Sequence, residues 1–287
     1  NDTTTWLSTD HAGDAMGASY EASTRMYRLF EEVGERRGMA DALVAQCWGL
    51  IARGDTDQAL ETARRALALA EETDHLGGEA RAHHIMGVAY GEARPEQAAE
   101  HLERCLDLAR LHGNPRFEAT AMQFLGAAYC LSGRVESGHA LLVDSLRICH
   151  ELKDHYAEAF SLLYLAKLYA ALGDDRAMPT AKSVVYLARR HNLEHHLADG
   201  LTVLGQLDLA AGRYDSATAN LEESVRLWRA RGWHSFLADT LRALGLAHRH
   251  NGDEEAARKA WSEAMSVYER LGDTSAAADI ATFLNEG

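Results

Sequence analysis

Residues 238–273 read ADTLRALGLAHRHNGDEEAARKAWSEAMSVYERLGD. Ala238, Leu241, Leu244, Gly245 and Ala247 share one helical face. Asn251-Gly252-Asp253 stops that helix, with glycine supplying the positive φ of a helix end. Ala256, Ala257, Ala260, Trp261, Ala264 and Tyr268 then recur at helical spacing. The stretch predicts a helix–turn–helix hairpin, with small residues where its helices meet and large ones where space must be filled. One such hairpin cannot bury its own apolar face, so it needs neighbours.

The rest of the chain supplies them. Aligned on the turn, the copies place Gly54, Arg94, Gly133, Gly173, Gly212 and Gly252 in one column. Seven residues earlier stand Cys47, Gly87, Gly126, Ala166, Gly205 and Gly245, and seven before those Ala40, Ala80, Ala119, Ala159, Ala198 and Ala238. Each column advances by 40, 39, 40, 39 and 40 residues. Five residues after each turn come Ala59, Ala99, Gly138, Met178, Ala217 and Ala257. Small residues kept in register over six copies mark places where two helices approach closely. We call the first helix of each copy A and the second B.

An incomplete copy precedes these six. Its helix B is expected over Ala15–Arg37, burying Tyr20, Met26, Leu29, Phe30 and Val33, and its helix A shrinks to Thr3–Asp10 around Trp6. The chain opens at Asn1 inside this copy, as expected of a piece of a longer protein. Pro95 and Pro115 suit the first turns of helices, where a missing N–H costs nothing. Pro179 sits where helix B of the fourth copy either begins or kinks. After Gly272-Asp273, Ala277, Ile280, Ala281 and Leu284 share a face and predict a capping helix. The expected organisation is a partial repeat over 1–38, six repeats over 39–273 and a cap over 274–287.

Composition narrows the function. A net charge of −14 argues against nucleic-acid binding, which needs clustered Lys and Arg. No apolar run approaches the roughly 18 residues of a membrane helix, and there is no signal peptide, so a cytoplasmic setting is expected. Cys47, Cys105, Cys130 and Cys149 form no C-x-x-C pair and read as reduced thiols. The sequence has no Walker A loop, no G-x-S-x-G and no H-E-x-x-H, so no enzyme activity is expected. The histidine groups His83-His84, His195-His196 and His248-x-His250 diverge around a helix by about 100° per residue, a poor chelating geometry. Neither metal nor cofactor is expected.

The small residue, the Gly-x-x-Tyr of Gly87–Tyr90 and Gly126–Tyr129, the Gly-Asp turn and the following alanine together resemble the tetratricopeptide repeat (TPR). The resemblance covers nearly the whole chain. It implies an all-α, right-handed superhelical solenoid of about six full repeats plus the partial repeat and the cap. The period of 39–40 exceeds the family's usual 34 or so. Long repeats of this kind, and phrases such as Leu221–Gly232, LEESVRLWRARG, resemble the C-terminal sensor regions of large bacterial regulators. These are the signal-transduction ATPases with numerous domains (STAND), including maltose-type activators and actinobacterial antibiotic regulatory proteins of the SARP type. Kinesin light chains and G-protein-regulating scaffolds use repeats of similar length. The resemblance implies nucleotide-binding and DNA-binding domains elsewhere in a parent protein, and a sensor role for this part in regulating transcription, here of antibiotic biosynthesis. A stand-alone scaffold or peptide-receptor adaptor is the alternative.

In such solenoids helix A lines the concave side. Positions one, four, eight and eleven after each helix-A alanine follow the helical period and are expected to face inward. They nominate Trp48, Arg81, His84, Gln123, Phe160, Lys167, Gln206, Arg242 and Arg249 as groove residues. Aromatics would supply buried area and cations would hold acidic side chains, so the expected partner is a protein or peptide segment of acidic character, besides other domains of the parent chain. Asp199 and Asp239 could instead neutralise those cations. The lysine-and-asparagine carboxylate clamp of chaperone-binding repeats is missing, because its places hold Val44 and Trp48 or Gln123 and Ala127.

Overall fold

The computed structural model describes residues 14–52, 54–231 and 234–285. These fold into fourteen α-helices with no strand among the described residues. Helix α1 (Asp14–Val33) belongs to the partial repeat. The six hairpins that follow pair α2 (Arg36–Ala52) with α3 (Thr56–Glu72), α4 (Leu76–Tyr90) with α5 (Pro95–His112), and α6 (Pro115–Leu131) with α7 (Val135–Leu152). Then come α8 (His155–Ala171) with α9 (Ala177–His191), α10 (Glu194–Ala210) with α11 (Tyr214–Arg231), and α12 (His234–His250) with α13 (Glu254–Leu271). Helix α14 (Thr274–Asn285) ends the series. The chain forms two compact units, one of Asp14–Tyr164 and one that includes Leu165–Gly287.

Glycine in this column sets the spacing within four of the six hairpins. A Cβ built on Gly205 of α10 would lie 2.5 Å from Leu221 Cγ of α11, and one on Gly87 of α4 would lie 2.5 Å from Leu102 Cγ of α5. Gly126 meets Leu142 in the same way, and Gly245 meets the indole of Trp261. A large B-helix side chain therefore rests directly on A-helix backbone. Helix A also touches the next helix A: α2 touches α4, α4 touches α6, and α10 touches α12. Covered on several sides, α10 buries ten of its seventeen residues, whereas α7 on the B side buries four of eighteen. Each core forms along these seams. It holds Leu43, Ile85, Leu102 and Leu108 in one unit and Leu221, Trp228, Leu241 and Trp261 in the other.

Burial of helix A leaves its polar groups to find partners inside. Gln123 Nε2 donates to the Ala157 carbonyl and to Ser161 Oγ, both at 2.8 Å, and Ser161 Oγ lies 3.0 Å from Ser145 Oγ. In the other unit Thr202 Oγ1 sits 2.8 Å from Ser224 Oγ and 3.0 Å from Thr240 Oγ1. Each member of this second network stands 79 residues after its counterpart in the first, a distance of two repeats.

Turns complete the hairpins. Gly54, Gly133, Gly173, Gly212 and Gly252 have φ between 65° and 81°. The second repeat differs from the aligned column: its positive φ falls on Gly91 rather than Arg94, and one 3-10 turn over Gly91–Ala93 carries the chain to Pro95. The tyrosine of Gly-x-x-Tyr is held by the arginine that follows the turn. Arg94 lies over Tyr90, Arg134 over Tyr129 and Arg176 over Tyr169, at 5.2, 3.8 and 4.1 Å from the ring centroids. In the fifth repeat an ion pair takes this place: buried Asp208 accepts from Arg213 Nε at 2.8 Å, and also from Ser216 and Asn220. A second left-handed column closes helix B, at Gly34, Asp74, Gly113, Lys153, Asn192 and Gly272.

Three expectations are settled here. Pro179 is the third residue of α9, so the helix begins at that point and does not kink. Helix α14 packs as expected, with Ile280 buried and Phe283 stacked on Trp261 at 5.3 Å. The phase of α1 was misjudged: Leu29 and Val33 are 62% and 75% exposed, while Ser23 is buried. Gly34, at φ 70°, ends α1 early and lets α2 start at Arg36, so the last turn of α1 projects past its neighbour. Thr3–Asp10 and Trp6 lie outside the described residues.

Two substitutions test this packing. Gly205→Leu is expected to cost about 1–3 kcal/mol or more by overpacking, read as a lower urea midpoint. An unchanged midpoint would refute the close approach. Lys153→Gly is expected to stabilise by about 0.5–1 kcal/mol, because a left-handed L-residue costs about 1–2 kcal/mol and glycine returns only part of that as chain entropy.

Candidate functional site

The A helices of Asp14–Tyr164 bring a file of rings together. Trp48 of α2 meets His84 of α4 edge-on at 5.8 Å, and His84 meets Phe124 of α6 at 4.8 Å. Phe124 then meets Phe160 of α8 at 5.2 Å, and Phe160 meets Tyr164 at 4.8 Å. Successive A helices contribute the rings from different repeat positions, eight, four, five and one after the helix-A alanine, with Tyr164 added at position five of α8. Trp48, Phe124, Phe160 and Tyr164 are half-buried and keep part of each ring in solvent. His84 is the buried member, with Phe117 packed edge-on at 5.9 Å. Burial holds its pKa down at about 4, so the ring is neutral at pH 7, and its Nε2 has no hydrogen-bond partner among the described residues.

Position four after the helix-A alanine is thus covered in five copies, and in the sixth it holds the half-buried Arg242. His84 and Gln123 were expected to line a surface, and both are buried. Val44, Leu163 and Thr202 occupy the same position and are buried too, because it faces the seam with adjoining helices. Positions one and eight supply the accessible groups instead. Phe124 and Tyr164, at position five, were missed. The recurrence of an aromatic there in two successive copies was the available signal.

The nominated cations are largely neutralised by this chain's own acids. Arg81 pairs with Asp41, one repeat earlier, beside His75. Lys167 Nζ donates to Asp199 Oδ2 at 2.8 Å. Arg242 is half-buried, and its carbonyl accepts from Trp261 Nε1 at 3.2 Å. Nearby, Tyr268 Oη donates to Asp239 Oδ1 at 2.5 Å, and burial first, then that carboxylate, hold the phenol well above its ordinary pKa. Arg249 is half-buried as well. Its guanidinium lies over Trp261 at 4.9 Å and Phe283 at 5.6 Å, against α13 and α14. Gln206 is exposed.

Other chemistry is muted. Burial pushes the Cys47 and Cys105 thiols up to about 12 and Cys149 up to about 11, so none is a thiolate nucleophile at neutral pH. His83 and His101 approach with Nδ1 atoms 3.0 Å apart, but no group of three His, Cys, Asp or Glu among the described residues is placed to hold a metal ion. No helix among them is long and apolar enough to cross a membrane.

Residues 39–110 and 237–271 match models of the tetratricopeptide repeat. These two segments are tetratricopeptide repeats, and the hairpins between them follow the same helix–turn–helix plan. Regulatory protein AfsR of Streptomyces griseus is 27% identical over 224 residues, 75% of this chain and 21% of AfsR. The chain therefore spans about a fifth of that relative's length. Among solved structures, the STAND protein PH0952 of Pyrococcus horikoshii, with a tetratricopeptide-repeat sensor, superposes with a TM-score of 0.65 at 16% identity, covering 91% of this chain and 40% of that one. NprR, a quorum sensor of B. thuringiensis, in complex with its cognate peptide NprX, gives a TM-score of 0.65 at 13% identity over 95% of this chain and 83% of its own. These structures share the all-α repeat fold.

The buried histidine predicts a pH response. An unfolded imidazole titrates near 6.5, whereas folded His84 titrates at about 4. Between those values the unfolded state binds more protons, so stability is full above pH 6.5 and falls as pH drops toward 4, by up to about 3 kcal/mol for this residue. His83 and His196, held down to about 4 and about 3 mainly by burial, act in the same direction. His84→Phe is expected to shrink the loss of stability between pH 6.5 and 4, measured by urea unfolding at several pH values.

Proposed function

We propose that this chain is the sensor module of a multidomain bacterial transcriptional regulator of the STAND type, and that it works by docking a polypeptide segment on its A-helix face. The ring file from Trp48 to Tyr164 carries the reading. Half-exposed aromatics on rigid helices lose little entropy on binding and can bury large apolar area, the usual profile of binding hot spots. The segment would place apolar side chains against Trp48, Phe124, Phe160 and Tyr164. Acidic groups on it would find Arg81 and Lys167 already engaged by Asp41 and Asp199, so apolar contact outweighs charge at this face.

Similarity to AfsR over three quarters of the chain supports a regulatory parent, one controlling antibiotic biosynthesis from the cytoplasm. The parent's own ATPase and DNA-binding domains would then be further partners, with DNA contact left to them. The fold is of a kind that serves as an interaction scaffold, and no catalytic role is proposed for it. A stand-alone peptide receptor is the second reading, favoured by the fact that the same fold in NprR holds a cognate peptide.

The test uses the full-length gene product. A sensor linked to an ATPase is expected to change ATP turnover at least threefold when Phe160→Ala removes a ring from the file, with circular dichroism confirming that the helices persist. A parent without a nucleotide-binding domain, or turnover indifferent to the substitution, would replace the sensor reading with the receptor.

A further inference from the structure

The net charge of −14 is unevenly spread. Helix α9, AMPTAKSVVYLARRH, contains no Asp or Glu, and each of the other thirteen described helices contains at least one. It carries Lys182, Arg189 and Arg190 instead. Three bases in its last turn, Arg189, Arg190 and His191, suit the negative end of the helix dipole. Lys182 does not: it is the sixth residue of fifteen, away from that end.

These cations share a surface. Lys182, Tyr186, Arg189 and Arg190 stand four, seven and eight residues along one face of α9, and all are exposed. They rim a shallow cavity of about 450 Å³ whose apolar floor is Val185 and Leu204. Tyr186 is 64% exposed, with its hydroxyl accepting from Arg190 at 3.3 Å. Arg189 pairs with Glu223 at 2.7 Å. Among the described residues neither Lys182 nor Arg190 has a carboxylate within ion-pair distance. The inner cations Arg81 and Lys167 are matched by acids, and the outer pair on α9 is not.

We infer that this face of α9 is a second docking surface, which takes an acidic polypeptide segment with an apolar residue between its carboxylates. The spacing sets the register. Lys182 and Arg190 are eight residues apart, about 12 Å along a helix at roughly 1.5 Å per residue. An extended segment covers about 13 Å in four residues and points i, i+2 and i+4 to one face, so carboxylates at i and i+4 reach both ends. The apolar side chain at i+2 lies over Tyr186 and the Val185–Leu204 floor. Charge also argues against a second copy as occupant: a two-fold pairing would set α9 against α9 and oppose like charges.

The experiment titrates the purified chain into a labelled peptide, fluorescein-Gly-Glu-Ser-Leu-Ser-Glu-Gly-amide, followed by anisotropy, beside the same peptide with Gln for Glu. Binding of the Glu peptide is expected to exceed that of the Gln peptide at least tenfold and to weaken as salt rises. Lys182→Glu with Arg190→Glu is expected to lower affinity at least tenfold, and Tyr186→Ser at least threefold, with unchanged thermal melts because these side chains are exposed. The inference falls if the wild-type chain binds neither peptide, or if the charge-reversed variant binds as tightly as wild type. It falls equally if duplex DNA or phosphatidylserine vesicles bind through Lys182 and Arg190 while the Glu peptide does not. Phe160→Ala separates this surface from the A-helix face, since it is expected to leave peptide affinity at α9 unchanged.

Discussion

Four glycines fix how near paired helices can lie. At Gly87, Gly126, Gly205 and Gly245 the B-helix side chains Leu102, Leu142, Leu221 and Trp261 press on bare A-helix backbone. Nothing larger than hydrogen fits, and the gain is dense apolar contact along each hairpin. Helix A, drawn close to its partner and touching the helix A of the next repeat, becomes the covered layer. Much else follows from that. A covered helix has few positions where a polar group can stay solvated, so Gln123 and Thr202 must be satisfied by Ser145 and Ser161 or by Ser224 and Thr240. A histidine placed there must stay neutral.

The columns of small residues were legible because a steric demand at one spot of a hairpin recurs in every copy. Hairpins, turns and helix α14 came out of that periodicity. The side-chain phase of helix A did not. Positions one, four and eight all satisfy a helical period, and only the placement of the adjoining helices decides that four is mostly covered while one and eight stay mostly accessible, with half-buried Arg242 and buried Asp199 as exceptions. His84 and Gln123 were misplaced for that reason, and Phe124 and Tyr164 were overlooked. The second left-handed column is hard to read from sequence because, among its described members, glycine fills it at Gly34, Gly113 and Gly272 alone. Asp74, Lys153 and Asn192 adopt the same conformation without the residue that announces it. Helix α1 shows the converse: helix-compatible residues run on past Gly34 to Arg37, but a positive φ at Gly34 ends the helix.

Charge was the least legible feature, because a cation's meaning depends on what stands beside it. Arg81, Lys167 and Arg249 read alike as sequence. One is matched by Asp41, one by Asp199, and one lies over the rings of Trp261 and Phe283. Exposed or half-exposed ion pairs add only about 0–1 kcal/mol to stability, yet they remove the field that an incoming anion would feel. The acidic residues at position one therefore bear on recognition more than on folding. They leave the A-helix face with aromatic surface as its main resource.

The two surfaces differ in the physics of what they can hold. The ring file in Asp14–Tyr164 gains from removing apolar area from water, a term that salt does not weaken. The face of α9, in the other unit, gains from long-range attraction that is screened within about 10 Å at 0.1 M salt. A segment captured by α9 would be steered from a distance and held weakly, whereas one on the ring file must first make contact and is then held by buried area. A module with both can draw an acidic segment quickly at one surface while retaining an apolar one at the other. Neither surface uses the seam side chains Leu102, Leu142, Leu221 and Trp261, so binding at either leaves those hairpin contacts in place.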